Sequence, residues 1–211
     1  MQPRYALNSK LRERIRQNLA AFEIRSNTHP ELKDAAVTLL LVSNQINETC
    51  VVLTRRPSGL RRHAGQYALP GGRLEPGENA TVAALRETWE EVGVKLDNDS
   101  VLGRLDDFQT RSGYSITPIV AWGGANIKLQ PDPEEVAKIF LVPLWDLARP
   151  EIPELRHSDE SEQPVLAANL ASVGHRIFAP TAAVLYQFRE VALFGKATRV
   201  AHFEQPRFAW R

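Results

Sequence analysis

The sequence contains a single cysteine, Cys50, among its 211 residues. One cysteine cannot form an intrachain disulfide, and this usage is typical of proteins from a reducing compartment. Cys50 lies in an apolar run, which favours a buried, unreactive thiol over a catalytic one. An excess of charge of one sign is also lacking, since 26 Lys and Arg residues balance 25 Asp and Glu residues. We therefore expect no nucleic-acid partner, and any anion site has to be local.

Long hydrophobic runs are absent too, since none approaches the roughly 20 residues that cross a bilayer. The N-terminal residues lack the apolar core of a secretory signal. We expect a soluble protein with no membrane partner, cytoplasmic or, in a eukaryote, organellar. The N-terminal arginines are compatible with mitochondrial targeting, whereas Glu13 counts against it.

Four apolar residues near the N-terminus have helical spacing, which predicts an amphipathic helix that packs on the body or on a partner subunit. They are Leu11, Ile15, Leu19 and Phe22. A partner subunit there would make the protein a homodimer. We assign residues 1–30 to a helical N-terminal extension and residues 31–211 to a single domain with a C-terminal helix.

The remaining pattern predicts an α+β fold in which helices cover both faces of a mixed β-sheet. Apolar runs predict strands at residues 35–42, 49–56, 115–122 and 137–144, the first two forming a hairpin. A loop rich in Gly, Pro and Arg follows, with a short extended piece at residues 67–69. Helices are predicted from residue 78 or 79 to 91, capped by Gly93, just after residue 144, and at residues 181–194. The inward-facing residues of the last helix are predicted to be Val184, Leu185, Phe188 and either Val191 or Leu193.

The helix that ends near residue 91 carries three glutamates on one face, because Glu87, Glu90 and Glu91 are spaced i, i+3 and i+4. Four apolar residues fall on roughly the opposite face, which predicts the packed side. They are Val82, Leu85, Trp89 and Val92. Taken alone, this pattern is compatible with an ordinary solvated acidic face, in which Arg86 pairs with Glu90.

The loop before this helix changes that interpretation. It contains Gly71 and Gly72, and then a turn-forming run that ends at Glu78. Glycines allow backbone carbonyls to approach a cation closely. Mg²⁺ prefers carboxylate and carbonyl oxygens and bridges to substrate phosphates, and clustered carboxylates can hold several such ions. The combination favours hydrolysis of a phosphate bond.

The segment from Gly72 to Val94 resembles the Nudix box, whose pattern is GX5EX7REUXEEXGU with U aliphatic. Every fixed position matches, and only Thr88 departs, at an aliphatic position. The resemblance implies an α/β/α sandwich and a hydrolase that cleaves pyrophosphate bonds with Mg²⁺ or Mn²⁺.

The same resemblance implies roles for individual residues. Metal ligands would be Glu87, Glu90, Glu91 and the Gly71 carbonyl. Arg86 would orient the glutamates, and the loop would be held by Gly72, Glu78 and Gly93. One glutamate, or a residue outside the box, would activate water.

The preceding run, residues 52–72, resembles the second motif of the coenzyme A diphosphatase branch of this family, LLTXRSX3RX3GX3FPGG. The matching residues are Leu53, Thr54, Arg56, Arg61, Gly65, Pro70, Gly71 and Gly72, and the departures are Val52, Pro57 and Leu69. The resemblance implies cleavage of coenzyme A or its thioesters to 4′-phosphopantetheine, or its acyl form, and adenosine 3′,5′-bisphosphate. Four arginines suit a substrate with an additional phosphate, because guanidinium groups bind phosphate oxygens bidentately. They are Arg55, Arg56, Arg61 and Arg62, and the alternative for each is a surface ion pair.

Similarity to that branch extends over residues 35–147, and within it Glu135 is our candidate for a further metal ligand or general base. The alternatives are the adjacent Glu134 and a solvated carboxylate without function. His63, among the arginines, is a weaker candidate for phosphate contact, and the other histidines lack metal-ligand spacing. Two other functions remain open, namely hydrolysis of another nucleoside diphosphate derivative such as NADH or ADP-ribose, and a non-catalytic binding domain.

Overall fold

The computed structural model describes residues 5–26, 30–59, 64–158 and 161–206. The helices in these residues are Ser9–Ala20 (α1), Ala80–Val92 (α2), Leu144–Leu147 (α3) and Thr181–Phe188 (α4), with a π-helical turn, Arg189–Leu193, continuing α4. A 3-10 turn spans Asn98–Ser100. The strands are Lys33–Ser43 (β1), Thr49–Arg55 (β2), Tyr67–Ala68 (β3), Gly71–Arg73 (β4), Val101–Arg104 (β5), Phe108–Gln109 (β6), Tyr114–Gly124 (β7), Lys138–Pro143 (β8), Glu154–Ser158 (β9), Ser161–Leu170 (β10) and His175–Phe178 (β11).

Strand β1 lies at the centre of the main sheet. It pairs antiparallel with β2 and β4 and parallel with β7. On one side, β2 also pairs antiparallel with β3 and β8. On the other side, β7 also pairs antiparallel with β5 and β6. The predicted hairpin of the first two strands and the mixed sheet are therefore confirmed.

The two faces of β1 pack against different helices, because successive side chains of a strand point to opposite sides. Leu39 and Leu41 belong to the large core that includes α1 and α4. Leu40 and Val42 pack instead with Val92 at the end of α2. Helices thus cover both faces of the sheet, which confirms the predicted α/β/α sandwich.

Helix α1 is amphipathic as predicted, and it packs against the same chain. Its N-cap, Asn8, accepts a hydrogen bond from the backbone N–H of Leu11 at 2.9 Å. Leu11, Ile15 and Leu19 are buried in the large core, and Phe22 is buried just beyond the end of the helix.

The predicted packed face of α2 is confirmed only in part, because Val92 is buried and Leu85 is half-buried, whereas the other two residues lie at the surface. Val82 and Trp89 are 45% and 55% exposed, respectively. Residues with small or polar side chains dominate the buried face, which consists of Ala83, Ala84, Thr88, Glu91 and Val92. The alanines let the helix lie close to β1, and this approach turns part of the acidic face inward toward the glycine loop.

A second, three-stranded antiparallel sheet was not predicted, and it has the order β11–β10–β9. Its strands contain polar residues and Pro164, so their apolar periodicity is weak. The predicted last helix is α-helical only to Phe188 and continues as the π-helical turn, although Val184, Leu185, Phe188, Val191 and Leu193 are all buried as expected. Among the described helices, none combines the length and the apolar character needed to cross a bilayer.

Candidate active site

The ends of α2 are set by local sequence. Asn79 caps the N-terminus by accepting a hydrogen bond from the Val82 N–H at 3.0 Å. Gly93 ends the helix in the left-handed conformation, with φ of 72°, a backbone region that residues other than glycine rarely adopt. A Cβ at Gly93 would also lie 2.9 Å from the Cβ of Gln130. Because Gly93 has no Cβ, the loop that contains Gln130 can lie against the end of the helix.

Arg86 joins three of the predicted glutamates. Its guanidinium donates two bonds to Glu78, at 2.9 and 3.0 Å, and Nη1 donates to Glu87 at 2.9 Å and to Glu90 at 2.8 Å. Nη2 also donates to the Arg73 carbonyl at 3.0 Å. Arg86 thus connects the helix to the loop that precedes it.

Glu78 closes that loop. Besides its bonds from Arg86, it accepts a hydrogen bond from the Glu75 N–H at 2.9 Å. The Arg86 guanidinium, and then the Glu75 N–H, lower the pKa of Glu78 to about 2. The carboxylate is therefore ionised at neutral pH and holds the turn.

Glu91 is the buried carboxylate of the site, with 3% of its surface exposed. Burial raises the pKa of Glu91 to about 8; the Gly71 N–H lowers it, while the nearby Glu87 raises it further. The Gly71 N–H lies 3.3 Å from Glu91 Oε2, and Arg56 Nη1 lies 3.8 Å from Oε1. The backbone of Gly71, whose carbonyl is a predicted ligand, is therefore adjacent to a buried acid.

Glu87 fits against the second glycine of the loop. A Cβ on Gly72 would lie 2.3 Å from Glu87 Oε1, so only glycine leaves space for this carboxylate. Burial raises the pKa of Glu87, Arg86 lowers it, and Glu90 and Glu135 raise it.

Glu135 approaches the box from the loop between β7 and β8. That loop is fixed to the end of α2, because the N–H groups of Gln130 and Asp132 donate to the carbonyls of Val92 and Glu91 at 2.9 and 3.0 Å. Glu135 is exposed, and its charge acts on both Glu87 and Glu91.

The donor chemistry of this cluster suits a hard divalent cation. The charge of Glu135 raises the pKa of both Glu87 and Glu91, and the charge of Glu87 also raises that of Glu91. A cation would relieve this repulsion, and carboxylate oxygens are the ligands that Mg²⁺ and Mn²⁺ prefer. Within the described residues, no three Asp, Glu, His or Cys side chains already converge as a ligand set, and Arg86 holds both Glu87 and Glu90.

A cleft of about 550 Å³ adjoins the glycine loop. Its walls include Arg56, just after β2, and Gly71 of β4, together with Arg176 and Phe178 of β11 and Thr181 of α4. The second sheet, missed in the sequence, therefore contributes directly to this candidate binding site.

The four predicted phosphate-binding arginines have different outcomes. Arg56 lines the cleft beside Glu91, but Arg55 is not part of the described cleft wall. Arg61 and Arg62, like His63, lie outside the described residues.

Two further arginines of the cleft were missed. Arg73 donates a hydrogen bond to the hydroxyl oxygen of Tyr114, and its guanidinium carbon lies 5.2 Å from the centre of the Tyr114 ring. Arg73 directly follows Gly72, so its position next to the box was an available signal. Arg176 had no such signal, because more than 80 residues separate it from the box.

Comparison with known proteins agrees with this geometry. A family model described as the NUDIX domain matches residues 32–162, more than half of the chain. The "Uncharacterized Nudix hydrolase NudL" of Yersinia pestis (strain Pestoides F) is 45% identical over 100 residues, which are 47% of this chain and 50% of the relative. The chain thus spans about half the length of the curated relatives it matches.

A solved structure, the MutT/nudix family protein from Enterococcus faecalis, has a TM-score of 0.53 at 16% identity, over 78% of this chain and 64% of that chain. This likeness shows the fold. With the family model matched across the main sheet and α2, the chain belongs to the Nudix family.

Proposed function

We propose that this protein is a metal-dependent hydrolase that cleaves the pyrophosphate bond of coenzyme A or its thioesters. The products are 4′-phosphopantetheine, or its acyl form, and adenosine 3′,5′-bisphosphate. One observation carries the proposal: Arg56, a residue of the coenzyme A motif, lies 3.8 Å from the buried Glu91 and lines the cleft at the glycine loop. A phosphate group bound by Arg56 is thereby adjacent to the carboxylate cluster.

Glu87, Glu90 and Glu91, with the Gly71 carbonyl, are the proposed ligands of Mg²⁺ or Mn²⁺. An ion held by these residues would polarise the phosphoryl oxygens and lower the pKa of water. Arg86 holds Glu87 and Glu90 in position through its two bonds at 2.9 and 2.8 Å. Glu78 fixes Arg86 in turn, so the loop and the helix keep one relative geometry.

Different residues of the protein have different roles in the proposed hydrolysis. Arg56 binds the diphosphate and offsets its charge. A water oxygen bonds to one phosphorus while the bridging P–O bond breaks, and the water's proton passes to a carboxylate. We assign that role to Glu135, because it is exposed and can return the proton to solvent, whereas Glu91 is buried and Glu87 is held by Arg86. The adjacent Glu134 is the alternative base.

The cleft combines residues of the main sheet with residues of β11 and α4. This supports treating residues 31–211 as one functional unit, with an extension at residues 1–30 whose helix α1 packs on it.

A substrate panel tests the proposal. Coenzyme A, NADH and ADP-ribose would each be incubated with the protein and Mg²⁺ or Mn²⁺, and the products identified by mass spectrometry. Turnover of coenzyme A to the two stated products is the expected result. Negligible turnover of coenzyme A and its thioesters beside clear turnover of NADH or ADP-ribose would show that coenzyme A is not the substrate. Inactivity on the whole panel would favour a binding domain.

The variant Glu91→Gln tests the carboxylate cluster. We expect hydrolysis to fall by at least about 100-fold, because losing a metal ligand should cost more than the roughly 10–100-fold lost with a group that only orients the ligands. The matched control is Glu23→Gln, an exposed glutamate outside the box, which should retain the wild-type rate. An unchanged rate in Glu91→Gln would reject the role of Glu91.

A further inference from the structure

The second sheet provides one wall of the cleft through β11. Its position is fixed directly on β3, which immediately precedes the glycine loop. The Thr181 hydroxyl donates to the Tyr67 carbonyl at 3.1 Å, and the rings of Tyr67 and His175 lie 5.7 Å apart. Because β3 is in the main sheet, these contacts hold Arg176 in a defined place relative to the diphosphate site.

The described wall of the cleft carries positive charge only. It contains Arg56, Arg73 and Arg176, and no Asp or Glu. Arg56 lies beside the carboxylate cluster, and Arg73 is bonded to Tyr114. Arg176 comes from a different wall, so it adds a cation that neither the box nor the glycine loop supplies. An anionic group of the ligand beyond the diphosphate would be stabilised there.

The guanidinium of Arg176 is suited to such a group. Its Nε donates to Glu154 Oε2 at 2.8 Å, and the two side chains are 37% and 31% exposed. An ion pair of this exposure is weak because water screens it, so it orients the arginine without competing strongly against a ligand. The terminal nitrogens of a guanidinium offer the paired donors that match phosphate oxygens.

An aromatic residue lies two positions further along β11. Phe178 lines the same cleft, and Tyr114 lines it from β7. Aromatic rings are sequence-tolerant stacking partners for a nucleobase. A cation beside aromatic side chains is the chemistry that recognises a phosphorylated nucleoside.

We propose that the β11 wall binds the adenosine half of the substrate, and that Arg176 is a specificity-determining residue that contacts the additional phosphate on its ribose. The inference rests on the proposed function for the choice of the adenosine half. It extends that function by placing specificity in residues beyond the segment matched by the family model.

Equilibrium binding tests the inference without turnover. Adenosine 3′,5′-bisphosphate and AMP differ only in the additional phosphate, and each would be titrated by calorimetry without a divalent metal. The wild type should bind the bisphosphate at least about tenfold more tightly, as expected for a hydrogen-bonded contact to a charged group. Arg176→Ala should remove this preference and leave the affinity for AMP within about twofold, since the lost contact involves only the additional phosphate.

Two variants serve as controls. Glu154→Ala breaks the same ion pair but keeps the guanidinium, so the preference for the bisphosphate should remain. Arg156→Ala removes an exposed arginine of β9 that is not part of the described cleft wall, and it should behave as the wild type. Thermal unfolding of each variant verifies that it is folded.

Kinetics supply the second measurement. With coenzyme A, Arg176→Ala should raise KM about tenfold at unchanged kcat, and KM for dephospho-coenzyme A should stay within about twofold. The inference is overturned if the wild type does not prefer the bisphosphate over AMP. It is also overturned if Arg176→Ala weakens the binding of the bisphosphate and of AMP equally, or raises KM equally for coenzyme A and dephospho-coenzyme A. If the wild type hydrolyses only NADH or ADP-ribose, the proposed function fails, and the binding comparison still decides the role of Arg176.

Discussion

The hydroxyl oxygens of Thr88 and Thr38 lie 2.8 Å apart in the contact between α2 and β1, and both side chains are fully buried. Each also lies within hydrogen-bonding distance of the Ala84 carbonyl, at 2.7 and 2.9 Å. Each hydroxyl has one proton, so one donates to the carbonyl while the other donates to its neighbour. Thr88 occupies an aliphatic position of the Nudix box, and Thr38 provides the partner that satisfies a polar side chain there.

A double-mutant cycle tests this pairing. Thr88→Val and Thr38→Val should each lower the free energy of unfolding by about 0.5–1.5 kcal/mol, because the remaining hydroxyl loses a partner. The double variant should cost less than the sum, since no unpaired hydroxyl remains. Urea unfolding measures all four proteins. Additivity within about 0.3 kcal/mol would show that the two hydroxyls are not coupled.

Arg86 is expected to act through its geometry as well as its charge. Lysine at this position keeps the charge but cannot donate two bonds to Glu78 while also binding Glu87 and Glu90. Arg86→Lys should therefore lower kcat by on the order of 10–100-fold, as is typical when a group that orients metal ligands is lost. Steady-state kinetics on the substrate found in the panel measures this.

The matched control is Arg16→Lys, since Arg16 is 57% exposed and pairs only with Glu13 among the acidic residues described. It should retain the wild-type kcat. Equal losses in the two variants would contradict the positioning role of Arg86.

The two glycines of the loop should respond differently to alanine. At Gly72 the new Cβ would meet the flexible Glu87 carboxylate, so we expect a folded protein in which that carboxylate is displaced and hydrolysis falls at least about tenfold. At Gly71 it would lie 2.3 Å from the backbone oxygen of Ala36, which cannot move without disturbing β1. Gly71→Ala should therefore lower the melting temperature as well as the activity.

Gly59→Ala is the control for both substitutions, because a Cβ there would have no atom of the described residues within 4 Å and the residue does not have a positive φ. Activity and thermal unfolding should match the wild type. Wild-type activity in Gly72→Ala would show that Glu87 does not need its observed position.

Cys50 should resist alkylation in the folded protein. Burial, with a smaller contribution from the charge of Glu48, raises the pKa of the Cys50 thiol to about 12. At about pH 8 the native thiol is therefore protonated, whereas an unfolded cysteine has a pKa of about 8.5 and reacts. Iodoacetamide followed by mass spectrometry should label Cys50 only in the presence of urea, and rapid labelling of the native protein would contradict its burial.

The raised pKa of the Cys50 thiol also makes the free energy of unfolding depend on pH. Below about pH 8.5 the thiol is protonated in both states, so its contribution to stability is complete. As the pH rises toward the folded value of about 12, the unfolded state loses the proton first, and this contribution decreases.

Short-range features of the site were predictable because they depend on residues close together in the chain. Arg86, Glu87 and Glu90 meet through helical spacing, and Asn79 and Gly93 end the helix by local backbone chemistry. The order of the predicted strands and helices along the chain likewise predicted a sheet covered on both faces.

The orientation of α2 was not predictable in the same way. Periodicity shows which residues share a face, but the burial of that face depends on what packs against it. Ala83 and Ala84 allow close approach to β1, and the larger Val82 and Trp89 remain at the surface. The energy of that contact depends on both α2 and β1, so the sequence of either segment alone does not predict it.

The sequence by itself determined the box: its glycine loop, its capped helix and the arginine that connects its glutamates, because these contacts lie within about two dozen residues. Only the tertiary structure decided that Glu91 is buried, that Glu135 approaches from another loop, and that Arg176 lines the cleft. Those relationships arise when distant segments pack together, and their distances are set by the whole core.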